Sequence, residues 1–153
     1  MKKWVLFLVI FACVLLQDTV LNLIRFFGVK PDLLLICVVI ASLEFELKWA
    51  LILSVSAGLF KDILAAQPFG FNVILFGLWS VLIIRIKRDI SFDNPYLVVA
   101  LTGVVALVHH LLVGLALVYL GNYIPLGIFV RIIIIETFYT AACLPLLKKA
   151  ASL

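Results

Sequence analysis

Long apolar runs alternate along this chain with short polar breaks. Trp4 to Ile24 is apolar except for Gln17, Asp18, Thr19 and Asn22. Leu33 to Leu43 forms a second, shorter run, and Trp49 to Leu64 a third that carries Lys61 and Asp62 near its end. Phe69 to Ile84 follows, then Tyr96 to Leu120 with His109 and His110, and Pro125 to Leu147 with Arg131 and Glu136. Leu33 to Ile40 and Leu97 to Leu101 are continuously apolar. They lack the alternation that a membrane barrel strand needs. Each run is therefore predicted as a helix, which satisfies its own backbone hydrogen bonds in lipid. Crossing the apolar core takes about 20 residues, so the second helix is short for a span. Pro31, Pro68, Pro95 and Pro125 each stand at the start of a run, where a missing N–H costs least.

Composition turns this helical pattern into a membrane protein. Of 153 residues, 67% are hydrophobic and only 13% charged, with a mean hydropathy of +1.34. A soluble domain of this size could not keep so much apolar surface from water. The expected fold class is an all-α integral membrane protein: one polytopic domain over residues 1–153, a six-helix transmembrane bundle with a short second helix. The longest polar connection, Arg85 to Asn94, leaves no room for a soluble catalytic domain. A non-enzymatic role without a cofactor or a bound metal is expected.

Charge sets the orientation. With six spans and the N-terminus inside, the inner side holds Lys2, Lys3, Lys48, Arg85, Lys87, Arg88, Lys148 and Lys149. The outer side holds Arg25, Lys30 and Lys61, so the balance is eight against three. Both termini are then cytoplasmic. Five spans with the N-terminus outside give the same split, but export Lys2 and Lys3 at the head of the first helix. The first run is longer than a signal-peptide core and lacks an A-x-A-like site, so it is read as a retained anchor. The net charge of +4 is this inside-positive pattern and calls for no nucleic-acid partner. Cys13, Cys37 and Cys143 lie within apolar runs, without C-x-x-C spacing, and read as small hydrophobes.

Ionisable groups inside spans are costly and mark function or a structural pair. Counting about 1.5 Å per residue from Lys3, Lys48, Lys87 and Lys148 puts Asp18 roughly 22 Å above the inner surface. The same count puts Asp62 at about 21 Å, Asn72 near 22 Å and His110 roughly 21 Å. Glu136 falls at about 18 Å and Arg131 at about 25 Å. These positions, from five helices, share the outer half of a core about 30 Å thick. Thr102, Ala106, His110 and Gly114 recur every fourth residue, and Glu136, Tyr139, Thr140 and Cys143 follow helical spacing. Both stripes read as inward faces. They predict a polar-floored cavity opening outward, with His110 and Glu136 as a bonded pair. His109 points away from that stripe and reads as a packed or helix-bonded histidine. Plainer accounts stand beside this one. Arg131 can snorkel outward, Asp18 and Asp62 can sit at the interface of tilted helices, and a Glu–His bridge can simply hold helices together. Ser54 and Gly58 form a small-x-x-x-small pair for close helix packing.

Three short motifs are not explained by lipid solubility alone. Pro31-Asp32 opens the second helix ahead of Leu33-Leu34-Leu35-Ile36. Gly58-Leu59-Phe60-Lys61-Asp62 closes the third, and Pro68-Phe69-Gly70-Phe71-Asn72 opens the fourth. Their order and spacing resemble the MreD family, the small multi-span rod shape-determining proteins of bacteria. The resemblance covers most of the chain in span pattern, and its motifs lie between Pro31 and Asn72. It implies a scaffold of the cell-elongation machinery in the inner membrane. The implied partner is an MreC-like single-span protein, acting with MreB, a RodA-type glycosyltransferase and a penicillin-binding transpeptidase in side-wall peptidoglycan synthesis. It also implies a fold similar to the substrate-binding S components of energy-coupling-factor transporters, six helices around an outward cavity.

The motif residues also have physical readings of their own. Asp32 can cap the short helix, Gly58 allows close backbone approach, Pro68 and Gly70 shape a tight connection, and Asn72 can bond Asp62 or free N–H groups. Asp18, Asp62, Asn72, His110, Arg131 and Glu136 are the candidate partner or cavity residues; Pro31, Asp32, Gly58, Pro68 and Gly70 are the candidate structural ones. A vitamin-binding S component is the competing function. Against it, positions 12 and 16 are Ala and Leu, so the first helix lacks the Ala-x-x-x-Ala that such subunits often use for docking. An intramembrane hydrolase lacks a nucleophile near His110 or Asp62. No G-x-x-x-x-G-K-[ST] loop marks an energy source.

Overall fold

A computed structural model describes residues 3–18, 29–64 and 70–151. Among the described residues there are six helices and no strand. They are α1 (Lys3–Asp18), α2 (Leu33–Glu44), α3 (Leu47–Leu64), α4 (Phe71–Asp89), α5 (Pro95–Tyr119) and α6 (Leu126–Ala151). Pro68 lies outside the described residues. Asp18 ends α1, and its side chain also lies outside them.

The short second helix is the core of the bundle. It touches every other helix, and residues Leu34 to Ser42 are buried without a break. A helix buried all round needs no polar face, and Ser42 is the one hydroxyl among its buried residues. Its twelve residues rise about 18 Å, well short of a bilayer core. Both ends are tied by side chains. At its start Asp32 accepts from the Leu35 N–H at 3.1 Å. At its end Lys87 on α4 donates to the Leu43 carbonyl, a cation at the negative pole of the helix. Ser42 bonds the Val38 carbonyl and lies 3.2 Å from Ser80 of α4.

Four of the remaining helices wrap this core in two pairs, α3 against α4 and α5 against α6, and α1 packs against α2, α3 and α6. The α3–α4 contact is close because Gly58 has no side chain. A Cβ there would stand 2.6 Å from Val73 Cα and 2.8 Å from Val73 N. Asn94 caps α5 by accepting from the Tyr96 N–H, and Pro95 fills its first turn.

Two helices, α5 and the Leu126–Lys149 part of α6, are long and apolar enough to cross a membrane. Only 33% and 11% of their most apolar stretches is buried. On α5, Leu97, Val104, Leu107, Leu111, Leu115 and Val118 form one exposed apolar face, and Trp4, Phe7, Leu8, Phe11 and Leu15 form another on α1. Surfaces of that extent belong against lipid or a partner. Length or charge sets the other helices apart. α1 and α2 are short, α3 carries Lys48, Lys61 and Asp62, and α4 runs on through Arg85, Lys87 and Arg88.

Candidate functional site

Four helices and the Pro31-Asp32 turn meet at one polar node. Asp32 is buried to 1% exposure and pairs with Lys61 of α3. Its backbone N–H donates to Thr140 Oγ1 of α6 at 3.0 Å. His109 of α5 brings Nε2 to 3.1 Å from the Lys61 ammonium and 3.8 Å from Asp32 Oδ2. Phe76 of α4 closes the node, with the ammonium 5.1 Å from its ring centre and the His109 ring 5.2 Å away. A carboxylate this deep is stable only with a partner and hydrogen bonds. Lys61 supplies the charge, and the α2 N-terminus supplies a bond and a favourable dipole.

Asp32, His109 and His110 also bring metal-ligand atoms within 4.8 Å of one another. The Lys61 ammonium already pairs with two of the three, so the positive charge these groups call for is built into the chain.

Beside the node lies a cavity of about 370 Å³. Its polar floor holds Gln17, Lys30, Asp32, Lys61, His110 and Glu136; Leu64, Val113, Leu117, Phe129, Ile132 and Ile133 form much of the wall. It opens at the end of the bundle opposite Lys48, Lys87 and Lys148. Phe129 packs flat on α5 because position 114 is glycine, where a Cβ would meet the ring. His110 Nδ1 lies 3.6 Å from Glu136 Oε2, within ion-pair reach but beyond a hydrogen bond. Thr102, Ala106 and His110 of the first stripe and Thr140 of the second are buried, while Gly114, Glu136, Tyr139 and Cys143 are half-buried; Cys13 and Cys37 are buried with their sulfurs 3.9 Å apart.

A second polar centre is separate from the cavity. Asp62, at the end of α3, accepts from the Gly70 N–H at 2.9 Å, the Asn72 N–H at 3.0 Å and the Val73 N–H at 3.2 Å. It also accepts from the Asn72 side-chain amide at 2.8 Å. One helix thus caps the next. The carboxylate satisfies the open N–H groups at the start of α4, where the helix dipole favours an anion. Gly70 turns the chain with φ +94°, a value that favours glycine.

Several expectations change. Asp62 and Asn72 do not line the cavity; Asp62 takes four hydrogen bonds at the α3–α4 junction, two of them from Asn72. Arg131 is exposed on α6 and is not part of the cavity lining. His109, read as a packed histidine off the His110 stripe, is fully buried as that reading expects, but it packs inside the polar node beside Lys61 and Phe76. Lys61 is not an outer-surface charge; its side chain is 16% exposed and paired with Asp32. Asp32 caps α2 as expected, yet it also anchors the node, a second role that the sequence reading missed. Periodicity held a signal for two of these. Ser54, Ala57, Gly58 and Lys61 share one face of α3, and Val98, Thr102, Val105 and His109 share one face of α5.

Comparison with protein-family models, with curated proteins and with solved structures finds no match to this chain.

Proposed function

We propose that this chain is a non-enzymatic scaffold of the bacterial cell-elongation machinery, of the MreD type, seated in the inner membrane with six spans and both termini cytoplasmic. On this reading its cavity and flanking walls grip an MreC-like single-span partner. Through that partner it supports the MreB filament and the RodA-type glycosyltransferase and transpeptidase that build side-wall peptidoglycan. Charge asymmetry supports the orientation, since Lys48, Lys87 and Lys148 lie opposite the cavity.

The observation that carries the proposal is the cavity itself, polar at its floor and walled by apolar residues. Leu117 of α5 and Ile132 of α6 belong to that apolar wall, against which a partner segment can lie. Support for the family comes from the motif residues, which make one connected device. Gly58 admits the α4 backbone, Asp62 caps it, and Gly70 and Asn72 complete the cap.

Co-purification from native membranes in mild detergent tests the reading. An MreC-like protein should be recovered in near-equal amount, and Glu136→Leu should lower its retention while membrane insertion persists. Recovery of an ATPase pair with a coupling subunit would instead mark a vitamin-transport S component using the same cavity.

A further inference from the structure

The cavity's unspent hydrogen-bonding capacity lies on the acceptor side. Both of its lysines have at least one acceptor. Lys61 donates to Asp32 and meets His109, and Lys30 donates to the Gln17 main-chain carbonyl at 3.4 Å. By contrast, Gln17 Oε1 and His110 Nε2 are buried on the cavity wall without a hydrogen-bond partner among the described residues. These two residues are only 8% and 6% exposed, so bulk water does not readily satisfy them. Glu136 is the third acceptor. Among the described residues its ion-pair contact is His110 Nδ1, at 3.6 Å. With that carboxylate facing Nδ1, the imidazole proton belongs there, which leaves the buried Nε2 lone pair without a donor.

We infer that the cavity takes a primary ammonium or guanidinium group carried on an apolar stem. Its N–H groups meet Gln17 Oε1, His110 Nε2 and the Glu136 carboxylate, while the stem lies along Leu64, Val113 and Ile133. An ammonium offers three donors, which matches three open acceptors. The Phe129 ring adds an aromatic wall that favours a cation. An anion, which only accepts, would leave Gln17 Oε1, His110 Nε2 and the Glu136 carboxyl without donors. The inference rests on the cavity being a partner site. Its source is then a lysine or arginine side chain on the partner's segment at the outer membrane surface. A free alkylamine offers the same chemistry.

The test uses the full chain in nanodiscs of neutral lipid, with hexylammonium, trimethylhexylammonium and hexanoate as probes. Thermal unfolding at rising probe concentration reports binding. Hexylammonium should raise the midpoint, and hexanoate should not. The trimethyl compound, which has charge but no N–H, should bind about tenfold more weakly. Glu136→Gln and Gln17→Leu should each weaken hexylammonium by about tenfold, the loss of one charge-assisted hydrogen bond. Two variants guard against one that misfolds. Equal stabilisation by hexanoate, or unchanged binding in both folded variants, overturns the inference and leaves partner docking itself untouched. Co-purification in saturating hexylammonium then separates the sources. Release of the single-span partner assigns the cation to its side chain. Retention of the partner assigns it to a free amine, and it is then the docking reading that fails.

Discussion

Replacing Lys61 by methionine removes the positive charge that Asp32 depends on. Met keeps most of the apolar stem, so the change is chiefly electrostatic. Asp32 is 1% exposed and keeps its bond from the Leu35 N–H, but loses its ion pair. Breaking a buried pair from one side costs about 3–5 kcal/mol, because a charge is left without a partner. The lower half of that range applies here, since the Lys61 side chain is 16% exposed on the cavity and water can enter when it leaves. Asp32→Asn leaves a lysine that can turn into the cavity, and Asn can still cap α2, so about 1–2 kcal/mol is expected. The double variant removes both charges. It should cost far less than the sum of the two, with a coupling of about 2 kcal/mol or more. Reversible SDS unfolding in mixed micelles, followed by tryptophan fluorescence from buried Trp79, gives all three values. A Lys61→Met cost below about 1 kcal/mol, or simple additivity, would refute the claim that this pair anchors α2.

Three further outcomes follow from the junctions. Asp62→Leu strands three backbone N–H groups at the start of α4 and should cost about 3 kcal/mol or more, whereas Asp62→Asn should retain much of the cap; the same unfolding assay checks both. Gly58→Ala sets a Cβ against Val73 and Asn72 backbone atoms, the nearest at 2.6 Å, so α3 and α4 must part; about 2 kcal/mol of destabilisation is expected, and a silent substitution would contradict the packing. Gly114→Ala sets a Cβ against the Phe129 ring, closest at Cε2 and 3.0 Å from Cζ, so that side chain must swing aside. It should cost under about 1 kcal/mol yet narrow the cavity, which reduced hexylammonium binding at unchanged unfolding free energy would show.

The helical elements were legible because each is a long apolar run bounded by charge or proline. The central place of α2 was not. A helix apolar on all sides reads the same whether lipid or protein surrounds it, and only its length hinted that it does not face the bilayer. The α3–α4 cap was half legible. Asn72 bonding Asp62 followed from proximity to the connection, but four donors converging on one carboxylate depend on the approach that Gly58 permits. His109 was legible as a packed residue, but its place in the polar node was missed for a geometric reason. A stripe that repeats every fourth residue turns about 40° per step around the helix, so it drifts off the buried face, which alternates steps of three and four. The Asp32–Lys61 pair bridges 29 positions between two elements, and no local period connects them. The small-residue face of α3 contained Lys61 all the same, and a charge on such a face signals a buried partner.

The most direct test of the scaffold account is site-specific photocrosslinking in native membranes. A crosslinker at Val113 or Ile133, both on the cavity wall, is compared with one at Leu107, on the exposed face of α5. The account predicts one dominant adduct from both cavity positions, with an MreC-like single-span protein, competed away by excess unlabelled partner and weak or absent from Leu107. Adducts from the cavity with lipid or small molecules alone, while the partner crosslinks equally well at Leu107, would contradict it.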